Sequence, residues 1–63
     1  MANNLEFYEF MFKHDLERDK VISAVKRYGV KEGDYVSDEL TIKPLNKRAF
    51  LVISSIFSGE LTV

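Results

Sequence analysis

A chain of 63 residues with 46% hydrophobic and 13% aromatic content, no cysteine and a formal net charge of −1 makes one small domain, 1–63, with enough apolar surface to fold and no thiol chemistry. A chain of this size buries only ~60% of the surface it exposes when unfolded, so with no disulfide or thiolate metal site the reinforcement left is oligomerisation or partner binding. The near-neutral charge sets up no overall field toward nucleic acid or an anionic membrane. The longest apolar run falls far short of the ~20 residues of a membrane span, and Met1–Glu6 has neither the basic nor the apolar region of a leader, so a cytoplasmic protein is expected.

Asn3 and Asn4 ahead of Leu5 and Glu6 read as a helix start, with Asn3 as N-cap and Glu6 at the reciprocal capping position. The helix spans 4–14. Its apolar residues fall on two sides, Leu5, Tyr8 and Phe12 on one and Phe7, Phe10 and Met11 on the other, so it needs two neighbours. Tyr8 and Phe12 are assigned to the core. Phe7, Phe10 and Met11 are assigned to a protein interface with a partner or with a second copy, because aromatics and Met are enriched at interface cores.

A second helix over 16–28 is capped by Asp15 or Asp19, buries Val21, Ala24, Val25 and Tyr28, and ends at Gly29. One continuous helix over 5–28 is the rival. Two are favoured because the apolar phase lapses across Glu17–Lys20. Gly33-Asp34 then marks a turn into an extended segment at 35–36.

Two near-copies of one hexapeptide, Ser37–Ile42 and Ser58–Val63, flank the apolar block Ala49–Phe57. Read as a helix over 45–58, that block gathers Lys47, Arg48, Ser54, Ser55 and Ser58 on one side. Ala49, Phe50, Val52, Ile53, Ile56 and Phe57 lie on the other, with Leu51 the exception. Pro44 near the start and Gly59 past the end fit its termini. The hexapeptides then supply short strands at 40–42 and 60–63, paired in parallel across the helix; alternatives are an antiparallel hairpin of Tyr35-Val36 with Leu40–Ile42, or chance likeness between two turns. The fold expected is mainly α, a small three-helix domain with a minor β-ladder, with α+β as the alternative.

No residue set assembles a reaction. His14 beside Asp15 lacks a nucleophile, and the pairs Glu6/Glu9, Asp15/Asp19 and Asp38/Glu39 suit capping and helix-dipole roles. Gly29–Gly33 lacks the Gly-Lys-Ser/Thr ending of a phosphate loop. The sequence therefore predicts a non-enzymatic regulatory or interaction module without cofactor, metal or small-molecule substrate, acting by stoichiometric docking, with a homodimer the first expectation. A DNA-binding regulator using Arg18, Lys20, Lys26, Arg27, Lys47 and Arg48 is the alternative. The acidic link of about sixteen residues between the second and third helices counts against it.

Overall fold

The structure, a computed structural model, describes residues 7–61. Strand β1 (Phe10–Met11) leads into helix α1 (Asp15–Arg27). A short 3-10 turn (Glu32–Asp34), strands β2 (Tyr35–Ser37) and β3 (Thr41–Pro44) and helix α2 (Lys47–Ser58) follow. The three strands form one antiparallel sheet in the order β1-β3-β2, so the chain is α+β and the mainly-α three-helix expectation is overturned. Since β1 and β2 both run antiparallel to β3, they are parallel to each other, and β1-α1-β2 is a split β-α-β unit with β3 between its strands.

The expected helix over 4–14 fails because Phe10 and Met11 pair with Ile42 and Thr41 of β3, and the Phe12 amide donates to the Leu40 carbonyl at 2.7 Å. Residues 9–13, Glu-Phe-Met-Phe-Lys, set aromatic rings two positions apart between charged ends, and aromatic side chains favour a pleated, half-buried surface. A long-range partner strand outweighs the helical spacing. The expected Asn3 and Glu6 cap lies outside the described residues.

Helix α1 starts one residue earlier than expected and uses a different cap. His14 Nδ1, not Asp15 or Asp19, accepts the Glu17 amide at 3.2 Å. Acidic Asp15 and Glu17 in the first turn and basic Lys26 and Arg27 in the last complement the helix dipole. The C-terminus closes through Gly29 N–H to Lys26 O (3.0 Å) and Val30 N–H to Val25 O (2.9 Å), with Gly29 at φ +93°. A Cβ at Gly29 would stand 2.8 Å from Nη2 of Arg48, which crosses this helix end from α2.

The first hexapeptide is a hairpin turn. Asp38 Oδ1 accepts the amides of Leu40 (2.9 Å) and Thr41 (2.8 Å) and the Thr41 hydroxyl (3.1 Å), while the Asp38 amide donates to the Thr41 carbonyl. The second hexapeptide has Gly59 where the first has Asp38. It closes α2 instead, with Gly59 at φ +87° and the Glu60 amide on the Ser55 carbonyl. The parallel pairing of the two copies is thus overturned: β1 and β2 occupy both edges of β3, and Glu60 and Leu61 lie in no strand. Thr62 and Val63 fall outside the described residues.

Hydrogen bonds from the Thr41 and Leu40 amides hold the Asp38 carboxyl below the ordinary value of 3.8. A depressed carboxylate lends stability above its unfolded value and loses it as pH falls through its folded one. In denaturation at neutral pH, Asp38→Ala is therefore expected to be less stable than the wild type. The gap should narrow well below pH 3.8; a gap independent of pH would show that the carboxylate charge is immaterial to the turn.

Helix α2 matches its expected face. Ala49, Ile53 and Ile56 are buried, Phe50, Val52 and Phe57 are half-buried, and Leu51 is exposed. Its start differs: Pro44 ends β3, buried opposite Tyr35, and Asn46 is the cap. Asn46 Oδ1 accepts the Ala49 amide at 2.9 Å, and Nδ2 donates to Asp34 Oδ1 at 3.0 Å. The first turn holds Lys47 and Arg48 and no acid of its own, so that terminus relies on the Asn46 cap with the Asp34 carboxylate behind it. Asn46→Ala is expected to cost about 1–2 kcal/mol in a urea melt; no loss would mean the cap is redundant.

Both helices cover the sheet face that carries Ile42, Pro44 and Tyr35. They run antiparallel, since the start of α1 lies against Ile56 and Phe57 while its end meets Arg48. The opposite face, with Met11, Val36, Thr41 and Lys43, is uncovered among the described residues.

Candidate interaction site at the aromatic edge

Alternation along residues 9–13 sends Phe10 and Phe12 toward the helices and Glu9, Met11 and Lys13 away from them. Phe12 is buried. Phe10 is half-buried and stacks on Phe57 of α2, ring centroids 4.9 Å apart and planes inclined by 27°. Phe57 also stacks on Phe12 at 6.0 Å, and Phe7 stacks on Phe50 at 5.2 Å. Tyr8 closes the row, 6.4 Å from both Phe10 and Phe50. These rings form a ridge where β1 meets α2, at the rim of the sheet.

Several of the rings remain in contact with solvent. Tyr8 is 74% exposed and Met11 68% exposed, whereas Phe7, Phe10 and Phe50 are half-buried. The core role assigned to Tyr8 is therefore wrong, and that for Phe12 is right. Of the three residues assigned to an interface, Met11 lies open on the uncovered face, and Phe7 and Phe10 form the ridge. Sequence reasoning placed Phe50 and Phe57 on an apolar helix face without linking them to residues 7–12. That link is a tertiary contact, and no local pattern encodes it.

Beside the ridge runs an open strand edge. Because the Phe12 amide points to β3 and backbone direction alternates, the Met11 N–H and C=O point the other way. Among the described residues no strand pairs with them. Glu9 is tied across the uncovered face by the Thr41 hydroxyl at 3.0 Å. The Lys13 amide donates to the Glu17 carboxylate, and the Lys13 ammonium holds no ion pair among the described residues.

The cationic residues split between the two ends of the helix pair, Arg18 and Lys20 at one and Lys26, Arg27, Lys47 and Arg48 at the other. Arg18 is engaged by Asp19 (3.3 Å) and Asp15 (3.9 Å), and Lys26 by Glu32 (3.3 Å). Lys20 sits at the start of α1 near Ile56, whereas Lys47 and Arg48 sit at the opposite end, near Gly29. Arg27 lies exposed in the last turn of α1.

An open groove of about 370 Å³ runs between Lys13, His14, Glu17 and Lys20 on one side and Ile56 and Phe57 on the other. His14 Nδ1 is occupied there as the cap acceptor. Ser54 donates to the Leu51 carbonyl within α2 (3.2 Å), and Ser58 to that of Ser55 (3.1 Å). No group of three or more His, Cys, Asp or Glu among the described residues could hold a metal ion, and no helix there is long and apolar enough to cross a membrane. No protein-family model, curated protein or solved structure matches this chain.

Proposed function

We propose that this chain is a small non-enzymatic interaction module that acts by stoichiometric docking through its aromatic edge, with a second copy as its first partner. The observation that carries the reading is the placement of Phe7, Tyr8, Phe10 and Phe50 beside a strand edge unpaired among the described residues, at the rim of the sheet. Such rings supply large contact area at low conformational cost, and an open edge strand supplies backbone hydrogen bonds. The small core gives a physical motive, since association reinforces a chain with no disulfide.

The nucleic-acid alternative draws less support, because its six cations are split two and four between the ends of the helix pair and two of them, Arg18 and Lys26, are held by acids. Tyr8→Asp is the cleanest test of the docking reading, since that ring is mostly exposed while Phe10 also braces Phe57. In sedimentation velocity the wild type is expected to associate with rising concentration. Tyr8→Asp is expected to remove that association while leaving the melting temperature of the dilute monomer unchanged. A wild type that stays monomeric, or association unaffected by both Tyr8→Asp and Met11→Asp, contradicts the reading.

A further inference from the structure

We infer that two copies join through β1, antiparallel about a two-fold axis at Met11, to make one continuous six-stranded sheet. The inference rests on the docking reading above and deepens it by naming the partner and the register. Directly opposed residues in an antiparallel pair share a face, so a continuous sheet admits only registers that set inward residues against inward ones. Of these, the one centred on Met11 sets Phe10 against the partner's Phe12. It also sets Glu9 against the partner's Lys13, twice by symmetry, and the free Met11 N–H and C=O are exchanged between copies. Centring on Phe10 would instead oppose Glu9 to the partner's Met11, and centring on Phe12 would oppose Met11 to the partner's Lys13, so neither brings the two charges together. The first register alone makes use of the Lys13 ammonium, which is unpaired among the described residues.

The same exercise on the other edge fails. Self-pairing of β2 about Val36 sets Asp34 against the partner's Asp38, two like-charge pairs that destabilise an antiparallel ladder. Charge thus disfavours the Val36-centred register at the β2 edge and favours the Met11-centred one at the β1 edge. The Lys13 amide is already taken by Glu17, so each outer rung retains one backbone bond, from the Glu9 amide to the carbonyl of the partner's Lys13.

Charge reversal with mixing reads this register. Glu9→Lys and Lys13→Glu, each alone, oppose like charges and are expected to raise the dimer dissociation constant by about tenfold, less at high salt. An equimolar mixture of the two restores both opposite-charge pairs and is expected to recover wild-type affinity, as is the double variant. Lys13→Glu removes no ion pair among the described residues, so its weakening is diagnostic even where Glu9→Lys disturbs the Thr41 contact. Dimers that tolerate both reversals, or a mixture no tighter than its components, overturn the register while leaving the docking reading intact. A monomeric wild type overturns both, and a protected Met11 amide in that monomer would show that the chain covers its own β1 edge.

Discussion

Ile53→Ala is expected to lower the unfolding free energy by about 2–5 kcal/mol, and Leu51→Ala, two positions earlier on α2, to change it by no more than about 0.5 kcal/mol. Ile53 is 0% exposed, in the layer where both helices meet Ile42 of β3, so deletion removes transfer free energy and leaves a void that a well-packed small core cannot fill. Leu51 is 53% exposed on the other side of the helix and has little to lose. The stability of a 63-residue domain is about 3–9 kcal/mol, so the first substitution takes about a fifth or more of the total. Urea midpoints give the comparison directly, and similar losses at the two positions would mean that α2 is rotated from its assigned face.

Phe57→Ala is expected to cost about 2–3 kcal/mol and, unlike Ile53→Ala, to release β1 selectively. Its ring is the only one stacked on both inward residues of that strand segment among the described residues, Phe10 at 4.9 Å and Phe12 at 6.0 Å. Each such pair contributes about 0.5–1.5 kcal/mol beyond burial, and the half-buried setting keeps the total below that of a fully enclosed Phe. β1 is held to β3 by only a two-residue pairing plus the Phe12–Leu40 bond, so loss of the ring support frees it before the β2–β3 hairpin. Amide exchange resolved by residue should show Phe12 and Ile42, whose amides face the β1–β3 pairing, losing protection while Val36 and Lys43 of the β2–β3 hairpin keep theirs in the folded fraction. Uniform loss across the sheet would place Phe57 in the common core instead. Because the freed strand carries the docking edge, self-association should fall with it.

How far the fold was legible follows from the range of the interactions that decide each part. Helix α2 was readable to its exposed exception at Leu51, because its apolar side is a local periodic pattern closed by Gly59. Helix α1 was readable for the same reason through Val21, Ala24 and Val25. The antiparallel partner of Tyr35-Val36 was within reach as one of three readings of the first hexapeptide. Residues 7–13 were misread because Phe7, Tyr8, Phe10, Met11 and Phe12 satisfy a helical wheel as readily as a strand, and only pairing with Thr41 and Ile42, some thirty residues on, decides between them.

The caps show the same limit. His14 is an uncommon N-cap, so Asp15 and Asp19 drew the assignment. Asn46 stands two residues past Pro44, which was credited with the start of α2. For the candidate site, Phe7, Phe10 and Met11 were identifiable from aromatic and Met density. Their partners Phe50 and Phe57, and the flanking charges Glu9 and Lys13, acquire a role only once β1 is an edge strand.

The most direct test of the aromatic edge as a docking surface is amide hydrogen exchange at Met11 and Phe12 across protein concentration. The Phe12 amide is bonded to Leu40 within the monomer and should be protected throughout. The Met11 amide, which points away from β3, should exchange freely in dilute solution and gain protection as the concentration rises. A Met11 amide whose exchange rate does not depend on concentration would contradict the account.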